Sequence, residues 1–176
     1  GREVRDGGGI RPDIETKSDD LSTLLYYLMQ DMAIFDYATE YRTKHHEIAP
    51  AETFELSDEE YEEFKKMLKA RNFSYDLISL KALKELKRAA EFEGFSEIIK
   101  EEIASLEQKL QTNLDHSLEH FKKEIKHLIS EEIILRYYGQ KGSIVYTLRE
   151  DRDLKESFTI LKDKEQYGKI LKPAKK

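Results

Sequence analysis

Three histidines have the type and spacing that could do chemistry. His116 and His120 stand four residues apart, and His127 follows seven residues after His120. On one helix these steps place the three rings on the same side, with Glu119, Lys123 and Glu124 close by. Imidazole pairs at this spacing hold zinc or copper when further ligands converge on them. That side lies opposite Leu114, Leu118 and Phe121, so the pattern reads as a solvated face, with His116 and His120 as the candidate metal ligands. The run His116-Ser117-Leu118-Glu119-His120 is not HExxH, because its glutamate directly precedes the second histidine. A second pair, His45-His46, falls where a helix runs out before Pro50 and reads as a solvated helix end. The chain has no cysteine, which excludes disulfides, zinc–thiolate sites and thiol nucleophiles. There is no GxSxG elbow and no acid pair that stands out from a charge-rich surface. No catalytic residue and no cofactor is therefore assigned within this chain.

The element that must position the histidines is a spine from Phe95 to Tyr138. Ile99, Ile103, Leu106, Leu110, Leu114, Leu118, Phe121, Ile125 and Leu128 recur at helical spacing along it. Unbroken, it would run roughly 60 Å at ~1.5 Å per residue. Leu110 to Phe121 forms an eleven-residue block inside an otherwise heptad-like pattern, and Thr112 to Ser117 are weak helix formers, so a bend or break is expected there. The spine is expected to start at Ser96 and to end at Gly139.

Around it the spacing predicts shorter helices. One starts at Ser18 as N-cap, runs to about Lys44, and carries a stripe of Leu21, Leu24, Leu25, Leu28, Met32 and Phe35. Ser57-Asp58-Glu59-Glu60 is a capping box opening a helix with Tyr61, Phe64 and Leu68 inward. Asp76 is expected to cap a helix with Leu77, Leu80, Leu83 and Leu86 inward, closed by a left-handed cap at Gly94. Ser143 to Leu148 reads as a short strand. Asp151 or Asp153 opens a last helix with Leu154, Phe158 and Leu161 inward, and Lys164 to Leu171 adds a final turn or two. The fold class expected is mainly α: a helical bundle around one long, kinked helix, with a short N-terminal strand and turn and one β segment near 143–148.

Composition narrows the function classes. The chain has 176 residues with 39% apolar and 38% charged, enough for one domain with a real core. Net charge is −6 and basic residues are interspersed with acids, which argues against a nucleic-acid surface. No apolar run approaches the ~20 residues of a membrane span. The chain begins without methionine, inside what reads as a strand and turn, and is read as a piece of a longer protein.

That opening strand and turn is Gly1-Arg2-Glu3-Val4-Arg5-Asp6-Gly7-Gly8-Gly9-Ile10-Arg11-Pro12-Asp13-Ile14. It lacks the GxGxxG and GxxxxGK[ST] patterns of phosphate loops, and proline rather than a helix start follows the glycines. It resembles the segment that closes the catalytic domain of C-terminal processing, or tail-specific, serine peptidases. Gly1-Arg2, then Gly7-Gly8-Gly9-Ile10, then Pro12-Asp13-Ile14 match that family's pattern in order. Phe35-Asp36-Tyr37-Ala38-Thr39-Glu40-Tyr41 and Arg136-Tyr137-Tyr138-Gly139 also look like the helical extension some members carry.

The resemblance implies proteolysis near substrate C-termini by a serine nucleophile with a lysine base. Both lie upstream of the glycine-rich segment in the family's order, so neither is carried over here. It also implies upstream catalytic and PDZ domains as partners, protein or peptide substrates, and a periplasmic or cell-envelope parent. On this reading residues 1–16 end the parent's catalytic domain, 17–172 form a helical C-terminal domain, and 173–176 are a tail. The alternative is a stand-alone helical module for protein interaction or dimerisation, which the long amphipathic spine supports.

Overall fold

The computed structural model describes residues 12–16, 21–110 and 114–172. Among the described residues the regular structure is entirely helical, in nine helices. They are α1 (Thr23–Gln30), α2 (Ala33–Lys44), α3 (Asp58–Ala70), α4 (Ile78–Glu93), α5 (Lys100–Leu110), α6 (Leu114–His120), α7 (Lys122–Leu148), α8 (Arg152–Lys162) and α9 (Lys164–Ile170). The mainly α fold class holds. Gly1 to Arg11, including the motif residues Gly7, Gly8, Gly9 and Ile10, lie outside the described residues, as do Lys17 to Asp20.

The central packing is α2 along α7. Ala33, Ile34, Tyr37, Ala38 and Tyr41 form one buried stripe on α2. Ala33 and Ala38 are fully covered, and their small side chains let the α2 backbone approach its neighbour closely. α7 supplies Ile125, Ile129, Ile133 and Ile134, all buried. Capped by its predicted box, α3 adds Tyr61, Phe64 and Leu68 to the same core.

The first predicted helix divides in two. Ser22, not Ser18, caps α1, its side chain accepting from the Leu25 amide. At the junction Met32 sits at φ 57°, a left-handed conformation that costs a non-glycine residue roughly 1–2 kcal/mol. The break resets the helical phase. Leu24, Leu25 and Leu28 stay inside, whereas Leu21, Met32 and Phe35 are exposed.

The spine also differs from expectation. Phe95 to Ile99 form turns and α5 begins at Lys100, so the start moves from Ser96. The predicted break overlaps Gln111 to Asn113, which lie outside the described residues. A second interruption falls at Phe121 (φ −101°, ψ 20°), between α6 and α7. α5 packs back on α4 and leaves the line of α7. Gly94, at φ 80°, makes the predicted left-handed cap between them. Asp76 does not cap α4. It pairs with Lys81, and Leu77 occupies the cap position. Of the four leucines expected inward, Leu83 is buried and Leu86 is half exposed.

The strand predicted at 143–148 is helical. Gly139 (φ 64°, ψ −165°) folds α7 back on itself at the residue expected to end the spine. The second limb then runs against the first: Gly142 meets Tyr138 and Ile134, Ser143 Oγ donates to Glu131, and Tyr146 stacks on His127. Gly142 and Tyr146 point inward four residues apart, whereas strand alternation would have buried Ile144 and Leu148, which are exposed. With no neighbouring strand among the described residues, only local helical bonds satisfy this backbone.

Asp151 caps α8 through the Leu154 amide, but the buried residue is Ile160, with Phe158 and Leu161 outside. Thr16 Oγ1 donates to Asp153 Oδ1, so the segment from Pro12 to Thr16 is seated on α8. Pro12, Asp13 and Ile14, the described part of the N-terminal motif, edge a shallow depression there that reaches Ile160 and Tyr167.

Candidate functional site

Two of the predicted histidines, His120 and His127, line a cleft that His116 does not reach, and the three do not converge. The cleft's volume is ≈ 480 Å³, and it lies between Glu55-Leu56, α6, the start of α7 and the end of the second limb. His120, Lys122, Lys123, Lys126, His127 and Arg149 give it a basic wall. His116 and His120 are exposed with parallel rings, their centroids 6.3 Å apart. His127 departs from the reading that put all three on one solvated side. It is half-buried, stacked on Tyr146 at 4.9 Å between centroids. The reason is the fold-back at Gly139, which brings Tyr146 onto the first limb. Among the described residues, no group of three His, Cys, Asp or Glu side chains is placed to hold a metal ion.

Carboxylates answer much of the basic wall. Asp58 Oδ1 takes Lys126 at 2.7 Å and Lys122 at 3.2 Å, which holds its carboxyl below the usual carboxylate range. Arg149 reaches Glu55 at 3.0 Å and the Phe54 carbonyl at 3.1 Å. Glu119 accepts from Lys65, and Glu150 from Lys155; both carboxyls are held down by these lysines.

Ser130 forms the floor and is fully buried. Its hydroxyl accepts from the Leu56 amide at 3.1 Å and lies beside the Tyr146 phenol, whose pKa burial pushes up. Lys126 stands one turn before Ser130, yet its ammonium goes to Asp58. The pair thus lacks the serine–lysine contact that would activate a nucleophile.

A second constellation gathers the residues of the weaker family resemblance. Arg136 lies 4.4 Å over the Phe35 ring. Its guanidinium donates to the Phe35 carbonyl at 2.8 Å, to Thr39 Oγ1 at 2.8 Å, and to Glu132 at 2.7 Å. Tyr137 donates to the His45 carbonyl and carries Arg42 over its ring. Tyr138 donates to the Ile48 carbonyl at 3.0 Å. Residues about a hundred positions apart are clasped, with one planar guanidinium tying α2 to α7.

Below the clasp, Glu60 ties together the tyrosines of α2. Tyr41 donates to Glu60 Oε1 at 2.6 Å, Tyr37 to the Glu60 carbonyl at 2.7 Å, and the Ser57 amide to Oε2 at 2.6 Å. Burial alone would raise the Glu60 carboxyl, but the bonds from Tyr41 and Ser57 outweigh it and hold it low. A depressed carboxyl contributes stability above its unfolded-state value, and that stability fades as pH falls through the folded value. Glu60→Gln should therefore be less stable than the parent at pH 7, by about 1 kcal/mol. The gap should narrow as pH falls below the ordinary glutamate value of ~4.3 and vanish once the folded carboxyl is protonated as well. Thermal melts across that range check it; a constant gap would show that the charge is not the source. The capping box announced Glu60 and the resemblance drew attention to Phe35, Thr39 and Arg136, but nothing in the sequence announced Ser130 or that Arg136 would bond to Phe35 and Thr39.

With Lys126 held by Asp58 and with Phe35, Thr39 and Arg136 clasping α2 to α7, the described residues define a helical domain. Residues 24–161 match the family model described as "Probable PDZ-protease, C-terminal helical domain", and the chain belongs to that family. No curated protein matches the chain, and no solved structure does. No described helix is long and apolar enough to cross a membrane.

Proposed function

We propose that this is the C-terminal helical domain of a carboxy-terminal processing serine endopeptidase, bracing the catalytic domain and shaping substrate access to its cleft. The dyad of this reading, a serine nucleophile and a lysine base, lies upstream of Gly1, and the chain itself breaks no bond. Its partners are the upstream catalytic and PDZ domains and the protein or peptide substrates they process, with a cell-envelope location for the parent. The observation that carries the reading is the ordered motif Gly7-Gly8-Gly9-Ile10, Pro12-Asp13-Ile14, just ahead of a domain of this family. The bond from Thr16 to Asp153 supports it, because a bracing domain needs a fixed joint to what it braces.

The test uses the full-length parent. Removing residues 24–161, or introducing Arg136→Ala, should slow removal of a tagged substrate tail about ten-fold or more, ~1.4 kcal/mol in the barrier. A fluorophosphonate should still label one serine upstream of Gly1, showing that the catalytic domain remains folded. Unchanged processing in both variants, or a labelled serine between Gly1 and Lys176, would overturn the proposal.

A further inference from the structure

The arm made by α4 and α5 is thinly covered. Lys87 pairs with Glu107 at 3.4 Å, which sets an antiparallel register between the two helices. Only Leu83, Ala90 and Ile103 are buried on them, a core one residue wide. Beside that core α4 carries a second stripe. Ile78, Ala82, Leu86 and Ala89 recur at i, i+4, i+8 and i+11 and are all exposed, Ile78 at 67%. On α5, Leu106 lies three residues after Ile103, on the edge next to this stripe, and is exposed. At the tip, Phe92 is 94% and Ile98 70% exposed, with Phe95 half exposed between them. So much apolar surface on a monomer marks an interaction site.

We propose that two copies of this chain stack their arms face to face, through this stripe, into a four-helix bundle. Size and charge select a second copy as the occupant. Alternating bulky and small residues (Ile78, Ala82, Leu86, Ala89) let each leucine settle against alanines of a like stripe. The register that pairs Lys87 with Glu107 sets Glu85 level with Lys109. In a two-fold stack with both tips at one end, α4 lies over the other copy's α5. Glu85, whose exposed carboxylate also holds Arg88 at 2.8 Å on its own helix, then meets Lys109 of the other copy, and the contact is made twice. A face ~24 Å long and ~20 Å wide covers roughly 500 Å² per copy, about 1,000 Å² in all, the lower edge of specific interfaces. A reversible dimer in the micromolar range follows. This goes beyond the bracing role and does not depend on it.

Sedimentation equilibrium of residues 1–176, from low to high micromolar, tests it. Wild type should dimerise, and Leu86→Asp or Ile78→Asp should weaken the dimer about ten-fold or more. Both positions are exposed, so circular dichroism and the melting temperature, measured at concentrations where wild type is monomeric, should not change. Glu85→Lys should weaken the dimer and Glu85→Lys with Lys109→Glu should restore it, which a merely apolar contact would not do. Wild type that stays monomeric throughout, or a dimer indifferent to both aspartate substitutions, would overturn the proposal and assign the arm to another partner. Failure of the charge swap to restore would overturn the stacking register.

Discussion

Gly142→Ala should be among the most damaging single changes in this domain, costing more than about 2 kcal/mol through overpacking. A Cβ at Gly142 would lie 2.3 Å from Tyr138 Cβ and 3.2 Å from Ile134 Cγ2. The first of these atoms is fixed to the backbone, so no rotamer relieves the clash. Either the second limb of α7 lifts away, or the turn at Gly139 opens. Lifting also pulls Tyr146 off His127 and Ser130, so the cleft and its floor are lost together. Thermal denaturation should show a fall of about 5 °C or more for a chain of this size. Gly139→Ala should cost less, about 1–3 kcal/mol, because the space there is open and only the backbone conformation is strained. If Gly142→Ala melted like wild type, the fold-back of α7 would be wrong.

Arg136→Ala should cost about 2–3 kcal/mol. The guanidinium is half-buried and joins two carbonyls, a hydroxyl and the Glu132 carboxylate, so its loss removes charge-assisted bonds to all of them together with the cover over the Phe35 ring. Arg136→Lys should recover less than half of that, because an ammonium cannot present two parallel donors or stack on Phe35. Chemical denaturation of the three proteins, compared at equal m-values, measures both steps. Equal stability of the lysine variant and the parent would show that charge alone, not the planar fork, joins α2 to α7.

Those two residues also mark the limit of what the sequence discloses. Elements with local signatures were legible: the capping box at Ser57, the left-handed cap at Gly94, the inward Tyr61, Phe64 and Leu68. Each depends on neighbours within one or two turns. The interruption at Met32 was not legible, because methionine carries no turn signal and tertiary packing imposed its left-handed backbone. The strand reading at 143–148 failed for a related reason. β-branched and aromatic residues suit a pleated surface, but their inward partners are Ile134, Tyr138 and His127 on the limb before Gly139. The histidines were found by spacing, yet only the fold-back separates His127 from the other two. The clasp residues were picked out by resemblance, and their bonds to each other appeared only in three dimensions.

The clasp also dictates the order in which the domain can assemble. Arg136 closes on Phe35 across 101 positions, and Tyr146 completes the same core. α4 and α5, by contrast, pair through contacts close in sequence. Loop-closure entropy is met early for the arm and late for the clasp, so the arm should form in microseconds and the core much more slowly. During synthesis, α1 to α3 leave the ribosome with their apolar stripes uncovered, and stay so until both limbs of α7 have emerged. For that interval the nascent chain exposes apolar surface of the kind chaperones and proteases engage, and its maturation waits on the translation of a single hairpin, the two limbs of α7.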